Sequence, residues 1–508
     1  MKKFLVRFTL IVGSLLLVAL VVGIVEWQWT RAQGRKMLVA ARAKLDAAEP
    51  GWQLDDLTAQ RNASLPPAGN NVAEIALKAI GGLPREFDRW QTQQAANDLG
   101  NVKLSHRPDP TDLSELRQEF GGIHEMAERL SEIRKHPSGG LPLVFPEPNV
   151  FALNLNSTMK FREAASVLRW QAMLRIANGD PDAATDSVRS LLHLRLAISD
   201  EPTMISQLVR VAIVSIAARE AERLLSMAEP TQGLAELQAE FAKARGEPFM
   251  AKGLNGERAG IDRLMENMSN GKLGPAAAVG GGGRGGFMGV IESVGMSWMK
   301  RCLESNHAIM LDHLTAARDT LALRGQARKE ALRQAMFVGP RNQDTFFVHL
   351  LMPAVEKVIE AETRNDAQLG TIEVAIACER HRRATGRWPA TLAEIPKSIL
   401  PEIPGDPYSD EPIKIRRTDT GLNIYSVGSD GRDDGGRKLG VRGEQGTDLG
   451  IELFDRQLRS RDPLPKEPDY AGRASRGVGI DLPYPDPEKK NPYVPPPLPE
   501  PVRPEGNP

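Results

Sequence analysis

Apolar residues run without a charge from Phe8 to Val25 (FTLIVGSLLLVALVVGIV), eighteen positions in all. As a helix this run is about 27 Å long, close to the ~30 Å hydrocarbon core of a bilayer. Trp27 and Trp29 follow where an interfacial aromatic belt sits. A cleaved signal peptide has a shorter apolar region ending in a small-x-small site, and Ile24-Val25-Glu26 does not match it. The pattern predicts an uncleaved anchor over residues 1–30. Lys2, Lys3 and Arg7 precede the run, and the head is short, which favours a cytoplasmic N-terminus. Arg31, Arg35, Lys36, Arg42 and Lys44 on the far side count against that orientation. The expectation is a single-pass protein with most of its chain exported, on the periplasmic side of the inner membrane.

Beyond the anchor the apolar spacing is mostly helical. Residues 31–71 read as a juxtamembrane helix (Met37, Leu38, Ala41, Leu45) and a loop at Pro66-Pro67 and Gly69-Asn70-Asn71. Residues 72–250 predict a helical bundle. Within it Val167, Trp170, Leu174 and Ala177 share one face, and Gly179-Asp180-Pro181 ends one helix and caps the next. Thr203 is placed to cap a third helix through Met227. That helix is apolar nearly all round, but only eight uncharged residues separate Arg210 from Arg219, too few to span a bilayer. It is expected to be the central helix of the bundle. The helix–GDPDAA–helix unit resembles one tetratricopeptide repeat, but no second copy follows at the 34-residue period, so a hairpin in a bundle is the expectation.

Residues 251–287, containing GPAAAVGGGGRGG, read as a flexible glycine-rich linker without the GxxxxGK[ST] pattern of a phosphate loop. A helical segment is expected over 288–352. From 456 to 508 proline dominates, which predicts a disordered tail of extended character.

Charge and chemistry narrow the function classes. Lysine plus arginine and aspartate plus glutamate are both 65, and a net charge of +0 gives no basic footprint for nucleic acid. The two cysteines, Cys302 and Cys378, form no CxxC, which excludes zinc-ribbon and thioredoxin-like chemistry and leaves a buried thiol or one disulfide. His124-Glu-Met-Ala-Glu128 has glutamate where a metalloprotease helix needs its second histidine. His307 and His313, six apart, fall on different helix faces, and no GxSxG is present. No catalytic constellation emerges, and the chain is expected not to be an enzyme.

Residues 353–455 carry the most specific pattern. A long helix (Val355, Val358, Ile359, Leu369, Ile372, Ile376) ends at His381-Arg382-Arg383 and Gly386. Thr391-Leu-Ala-Glu394 has the form of a capping box. Residues 412–416 and 422–427 alternate like paired strands, and Gly428-Ser-Asp-Gly-Arg-Asp-Asp-Gly-Gly436 follows as a loop. The helix running into Thr385-Gly-Arg-Trp-Pro389, the Asp406-Pro407 pair, Tyr425-Ser-Val-Gly-Ser-Asp-Gly431 with Gly435-Gly436, and Thr447-Asp448-Leu449 together resemble the C-terminal domain of type II secretion major pseudopilins. The likeness covers about a fifth of the chain. It implies a small α+β domain and a calcium site in the aspartate- and glycine-rich loop, with Asp430, Asp433, Asp434 and Asp448 as carboxylate ligands; calcium takes six to eight oxygens on bendable backbone. Phe8-Thr9-Leu10-Ile11 is similar to the start of a pilin helix, but Arg7 and Val12 stand where that family has glycine and glutamate, so the helix reads as an anchor rather than a filament stem.

The expected protein is therefore mainly α: a transmembrane helix, a helical bundle, a small C-terminal α+β pseudopilin-like domain and a disordered proline-rich tail. The expected role is structural or interactive at the envelope, with the lipid bilayer and envelope or secretion-system proteins as partners. The alternatives are a calcium-stabilised binding module unrelated to secretion, and an enzyme whose site lies unrecognised in the helical region.

Overall fold

The computed structural model describes residues 2–274, 302–337, 339, 345–437 and 448–465. The chain is mainly helical. Helix α1 (Lys2–Ala48) runs unbroken for 47 residues and changes character half-way. Its first half is long and apolar enough to cross a membrane, and from Ile11 to Val25 it is not covered by protein: Leu15 and Leu16 are 63% and 66% exposed. Its second half docks through buried Ala41 and Leu45.

Six short helices follow: α2 (Leu54–Ala63), α3 (Val72–Ile80), α4 (Arg85–Trp90), α5 (Gln94–Asn101), α6 (Pro110–Gly121) and α7 (His124–Ser131). Asn71, expected in a loop, caps α3 by accepting from the Ala73 N–H at 3.0 Å. The helices α8 (Asn156–Ala177), α9 (Pro181–His193), α10 (Met204–Met227), α11 (Leu234–Arg245) and α12 (Phe249–Ser269) form the body. Asp180 caps α9 with Pro181 at the first helical position, and Thr203 caps α10, both as the sequence predicts. Helix α10 is the central one, with Val209, Ile213, Val214, Ala217 and Leu225 in the core. Arg210 enters that interior by stacking on Phe249, 4.4 Å from the ring centre, and by pairing with Glu247.

Then come α13 (Leu303–Asp319), α14 (Gly325–Met336) and α15 (Phe346–Thr385), which is 40 residues long. Gly386 closes α15 with φ +80°, the left-handed position only glycine takes freely. Strands β1 (Lys414–Arg417), β2 (Gly421–Ser426) and β3 (Leu449–Phe454) form one antiparallel sheet in that order. Lys414 pairs with Tyr425 and Ile424 with Ile451.

The two largest hydrophobic cores of the body meet on α15. The larger gathers α3 to α11, the second half of α15 and the sheet, from Val72 and Leu168 to Leu369, Ile424 and Leu453. The smaller joins α12, α13 and the first half of α15 through Ile261, Met310, Leu314, Val355 and Ile359. Helix α15 is the spine of both, crossing from one to the other between Ile359 and Leu369.

Four expectations are corrected. The α+β segment 353–455 is not a separate domain: its strands and α15 complete the core of the bundle, because neither sheet nor bundle alone covers its apolar face. Residues 251–269 are not linker but most of α12; the glycines there are close-packing positions, since a Cβ on Gly256 would stand 2.0 Å from the Pro202 carbonyl oxygen. The remainder of the glycine-rich run, 275–287, lies outside the described residues.

Nor does the tail begin at 456. Arg459 is buried, donating to Glu379 Oε2 at 2.8 Å and to the Phe454 carbonyl at 2.9 Å, and Ser460 bonds the Met227 carbonyl at 2.6 Å. Residues 466–508 lie outside the described residues. Finally, Thr391 makes no capping hydrogen bond; Leu392–Glu394 is a single 3-10 turn, with Glu394 drawn instead to Arg387 at 2.9 Å.

Candidate functional site

The turn before the sheet explains one of the sequence motifs. Asp406 is fully buried and saturated: it accepts from the Tyr408 N–H at 2.9 Å, the Ser426 hydroxyl at 2.7 Å and the Val427 N–H at 2.8 Å. The Asp-Pro loop is thereby clamped to the end of β2, where the glycine- and aspartate-rich loop leaves. That loop turns through Gly428, Gly431, Gly435 and Gly436, all at positive φ.

Its four predicted ligands are placed unequally. Asp430 is exposed and accepts from the Arg432 N–H at 2.9 Å. Asp433 holds the Lys414 ammonium at 2.8 Å and the Gly435 N–H at 2.9 Å, and the lysine keeps its carboxyl below the usual range. Asp448 is buried at the start of β3, where its Oδ2 accepts from the Gly436 N–H at 2.6 Å. Its Oδ1 is buried with no hydrogen-bond partner among the described residues. Burial, then the Asp434 and Asp433 charges, push the Asp448 carboxyl up. Asn423, which donates to the Gly436 carbonyl at 2.9 Å, likewise has a buried Oδ1 without a donor.

Beside Gly436, one oxygen each of Asp448 and Asn423 thus has no hydrogen-bond partner among the described residues, although the Asp448 carboxyl is also held by the Asp434 backbone. Asp433 and Asp434 act electrostatically on Asp448, whereas Asp430 has its own turn to hold. Among the described residues no group of three or more His, Cys, Asp or Glu is arranged to hold a metal ion. The donor chemistry suits a hard cation, but four carboxylates do not converge on one.

A second polar site was not foreseen in the sequence. Where α15 crosses between the two cores its apolar cover stops, and a cleft of about 460 Å³ opens between that helix, the α11–α12 corner and the end of α13. Glu362 and Asp366, one turn apart on α15, form one wall. Glu362 is half-buried overall, yet its Oε2 is cut off from solvent and has no hydrogen-bond partner among the described residues. Burial, reinforced by the Asp366 charge, pushes the Glu362 carboxyl up to about 8; Asp366 is also raised, chiefly by burial. No Ser, Cys or His lines this cleft. The i, i+4 spacing of the two acids was visible in the sequence, but nothing there distinguished it from a solvated helix face.

The other candidate residues are structural. His307 Nε2 donates to Asp262 Oδ1 (2.7 Å), and His313 Nδ1 donates to the Ala335 carbonyl (2.5 Å), so the two serve different elements. His124 is exposed beside Phe120. Cys302 and Cys378 are both buried and no disulfide joins them; burial, with the Glu379 charge, raises the Cys378 thiol well above its usual range.

Set against protein-family models, curated proteins and solved structures, the chain has no match. The fold and its sites are therefore the ground for any functional statement.

Proposed function

We propose that this chain is a membrane-anchored envelope protein, its body exported to the periplasmic side of the inner membrane, with a structural or interaction role connected to type II secretion rather than a catalytic one. The observation that carries the anchor is the division of α1. From Ile11 to Val25 its apolar half is exposed, while the polar half is locked to the body by Arg31 on Glu304 (3.2 Å) and Arg42 on Asp262 (2.8 Å). Uncovered apolar residues in such number suit a lipid environment. The secretion link rests on the likeness of 353–455 to pseudopilins, supported by the Asp406 clamp on the Tyr425–Gly431 motif.

The test is fractionation followed by capture. Full-length protein should resist carbonate extraction, retain residues 1–30 by mass, and recover secretion components from solubilised membranes. Release by carbonate, or trimming near residue 30, would refute the anchor; capture of no envelope component would refute the role.

The unmet acceptors of Asp448 and Asn423 favour a second reading, a calcium-stabilised binding module without a secretion connection. A cation that binds only the folded state raises its stability. Chelation should then lower the melting temperature of the full-length protein, and Asp448→Asn should remove that response. An identical melt with and without chelator would exclude the metal.

A further inference from the structure

Guanidinium groups outnumber their acceptors where α5, α8 and α10 meet. Arg219 and Arg223, one turn apart on α10, both donate to the Gly100 carbonyl in the last turn of α5, at 3.1 Å and 3.4 Å. Arg169 on α8 completes the group. A Cβ on Gly100 would stand 2.9 Å from its Nη2, so glycine is what admits this guanidinium so close to the backbone. Among the described residues Glu220 is the one carboxylate paired with the three, taking Arg169 at 3.3 Å and Arg223 at 3.2 Å on its two oxygens. Glu222 stands about 200° further round α10, on the opposite flank. Three positive charges therefore meet one carboxylate. The C-terminal end of α5 adds at most about half a negative charge, which leaves roughly one and a half positive charges uncompensated.

The same corner is short of acceptors. Arg223 is fully buried, and its Nη1 has no hydrogen-bond partner. Arg169 lies on the Trp170 ring, 4.6 Å from its centre, and the Trp170 indole N–H is buried without an acceptor. So is that of Trp90, whose ring meets Trp170 edge-on at 5.1 Å. Buried donors are ordinarily met by protein, water or an ion. Burial lowers the Arg169 guanidinium from its ordinary pKa; Glu220 opposes this, and the Arg223 and Arg219 charges add to it. A purely structural network has no use for a third arginine, since Arg169 and Arg223 already exceed Glu220. Exposure rises outward across the group: Arg223 is buried, the Arg169 side chain is 19% exposed and Arg219 is exposed, so the cluster opens to solvent on the Arg219 side.

We infer that this corner binds a phosphate-class oxyanion, with Arg219 and Arg169 donating to its oxygens and Arg223 behind them supplying charge. Guanidinium forks match the oxygens of such an anion in pairs, and the Trp170 ring holds the plane of one fork in place. The site depends neither on the membrane anchor nor on the likeness of 353–455 to pseudopilins.

Calorimetric titration of the full-length protein in detergent with sodium phosphate at about pH 8, where a phosphate group is a dianion, is the test. One saturable site with a Kd of about 1 mM or below is expected. Binding should weaken as sodium chloride is added, and sodium sulfate should compete. Arg219→Gln removes the exposed fork without opening the buried pair and should weaken binding roughly tenfold. Arg219→Lys keeps the charge but not the fork and should weaken it less. Arg333→Gln, an exposed arginine on α14, should leave it unchanged. Glycerol phosphate binding as well as phosphate would assign the site to a phosphate monoester, and binding of inorganic phosphate alone would assign it to the free ion. No saturable heat with phosphate would overturn the inference. So would equal heat with chloride at matched ionic strength, or undiminished affinity in Arg219→Gln. The chloride comparison uses unaltered protein, so it decides the matter even if a variant misfolds.

Discussion

Arg459 offers a direct test of where the folded body ends. Its side chain is 3% exposed and that of its partner Glu379 is fully buried. Removing one member of a buried ion pair costs ~3–5 kcal/mol when the other is left alone. Here Glu379 keeps Arg382, at 2.7 Å and 3.0 Å, so the charge is not abandoned and the loss falls at the low end. The Phe454 and Ala228 carbonyls also lose a donor each. Arg459→Ala should therefore cost about 3 kcal/mol, which lowers the melting temperature by roughly 6 °C at ~2 °C per kcal/mol for a large body.

Arg456→Ala is the control, because its side chain is 79% exposed and its contact with Glu229 is 3.4 Å; the expected cost is ~0–1 kcal/mol. Truncations make the same test without a point substitution. A chain stopped after Asp455 should melt lower than one stopped after Pro465, and the Arg459→Ala penalty should appear in the second. Scanning calorimetry or urea unfolding of protein in detergent reads these differences. Equal melting of the two truncations would show that residues 456–465 do not staple α10, α15 and β3 together.

Three further outcomes are expected. Glu362 has a folded-state pKa raised above its unfolded value, so the stability linked to its proton is fully present below about 4.5 and is lost as pH rises through about 8; Glu362→Gln should be more stable than wild type at pH 9 by ~1–3 kcal/mol in urea unfolding, with the gap closing toward pH 4.5, and a gap independent of pH would contradict the assignment. For Glu49 burial opposes ionisation, but hydrogen bonds from Arg258 and Arg318 prevail and hold its carboxyl down to about 2; its contribution is present above about 4.5 and lost as pH falls through about 2, so Glu49→Gln should flatten the acid limb of melting temperature against pH, and an unaltered slope would count against the pairing. Gly421 has φ +157° and faces the Leu453 carbonyl oxygen, 1.9 Å from where a Cβ would stand; Gly421→Ala should cost more than ~1 kcal/mol by calorimetry, whereas Gly121→Ala, with open space around it, should not destabilise.

The sequence was most legible where local chemistry decides local structure. Asp180, Thr203 and Gly386 act at helix ends through their own side chain or backbone freedom, and each was readable in place. The strand pair around Gly421 was likewise predicted from alternation. The third strand was not legible: Leu449, Ile451 and Leu453 alternate, but a run of six residues is too short for periodicity alone to separate a strand from a loop.

What failed were features whose meaning depends on distant neighbours. Gly253, Gly256 and Gly260 fall within the span expected to be linker, yet each lets α12 approach another segment, at Gln207, Pro202 and Phe151. Arg459 looked like one charge in a polar tail, because its partner lies 80 residues earlier. The exposed-looking pair Glu362 and Asp366 is distinguished only by falling where two cores meet. As for the predicted ligands, the spacing of Asp430, Asp433, Asp434 and Asp448 could not show that a lysine from β1 already claims one of them.

The unbroken course of α1 has a consequence for how the body is carried. From Val25, the end of the apolar run, to Arg31, which pairs with Glu304 of the body, is only about 9 Å along the helix axis. Gly34 then lies so close to α13 that a Cβ would meet the Ser305 nitrogen at 2.8 Å. No slack is left for swivelling. Seated in a bilayer, the body would tumble only as the lipid-embedded helix does, presenting a constant side to the headgroups and a constant side to whatever approaches from the compartment beyond.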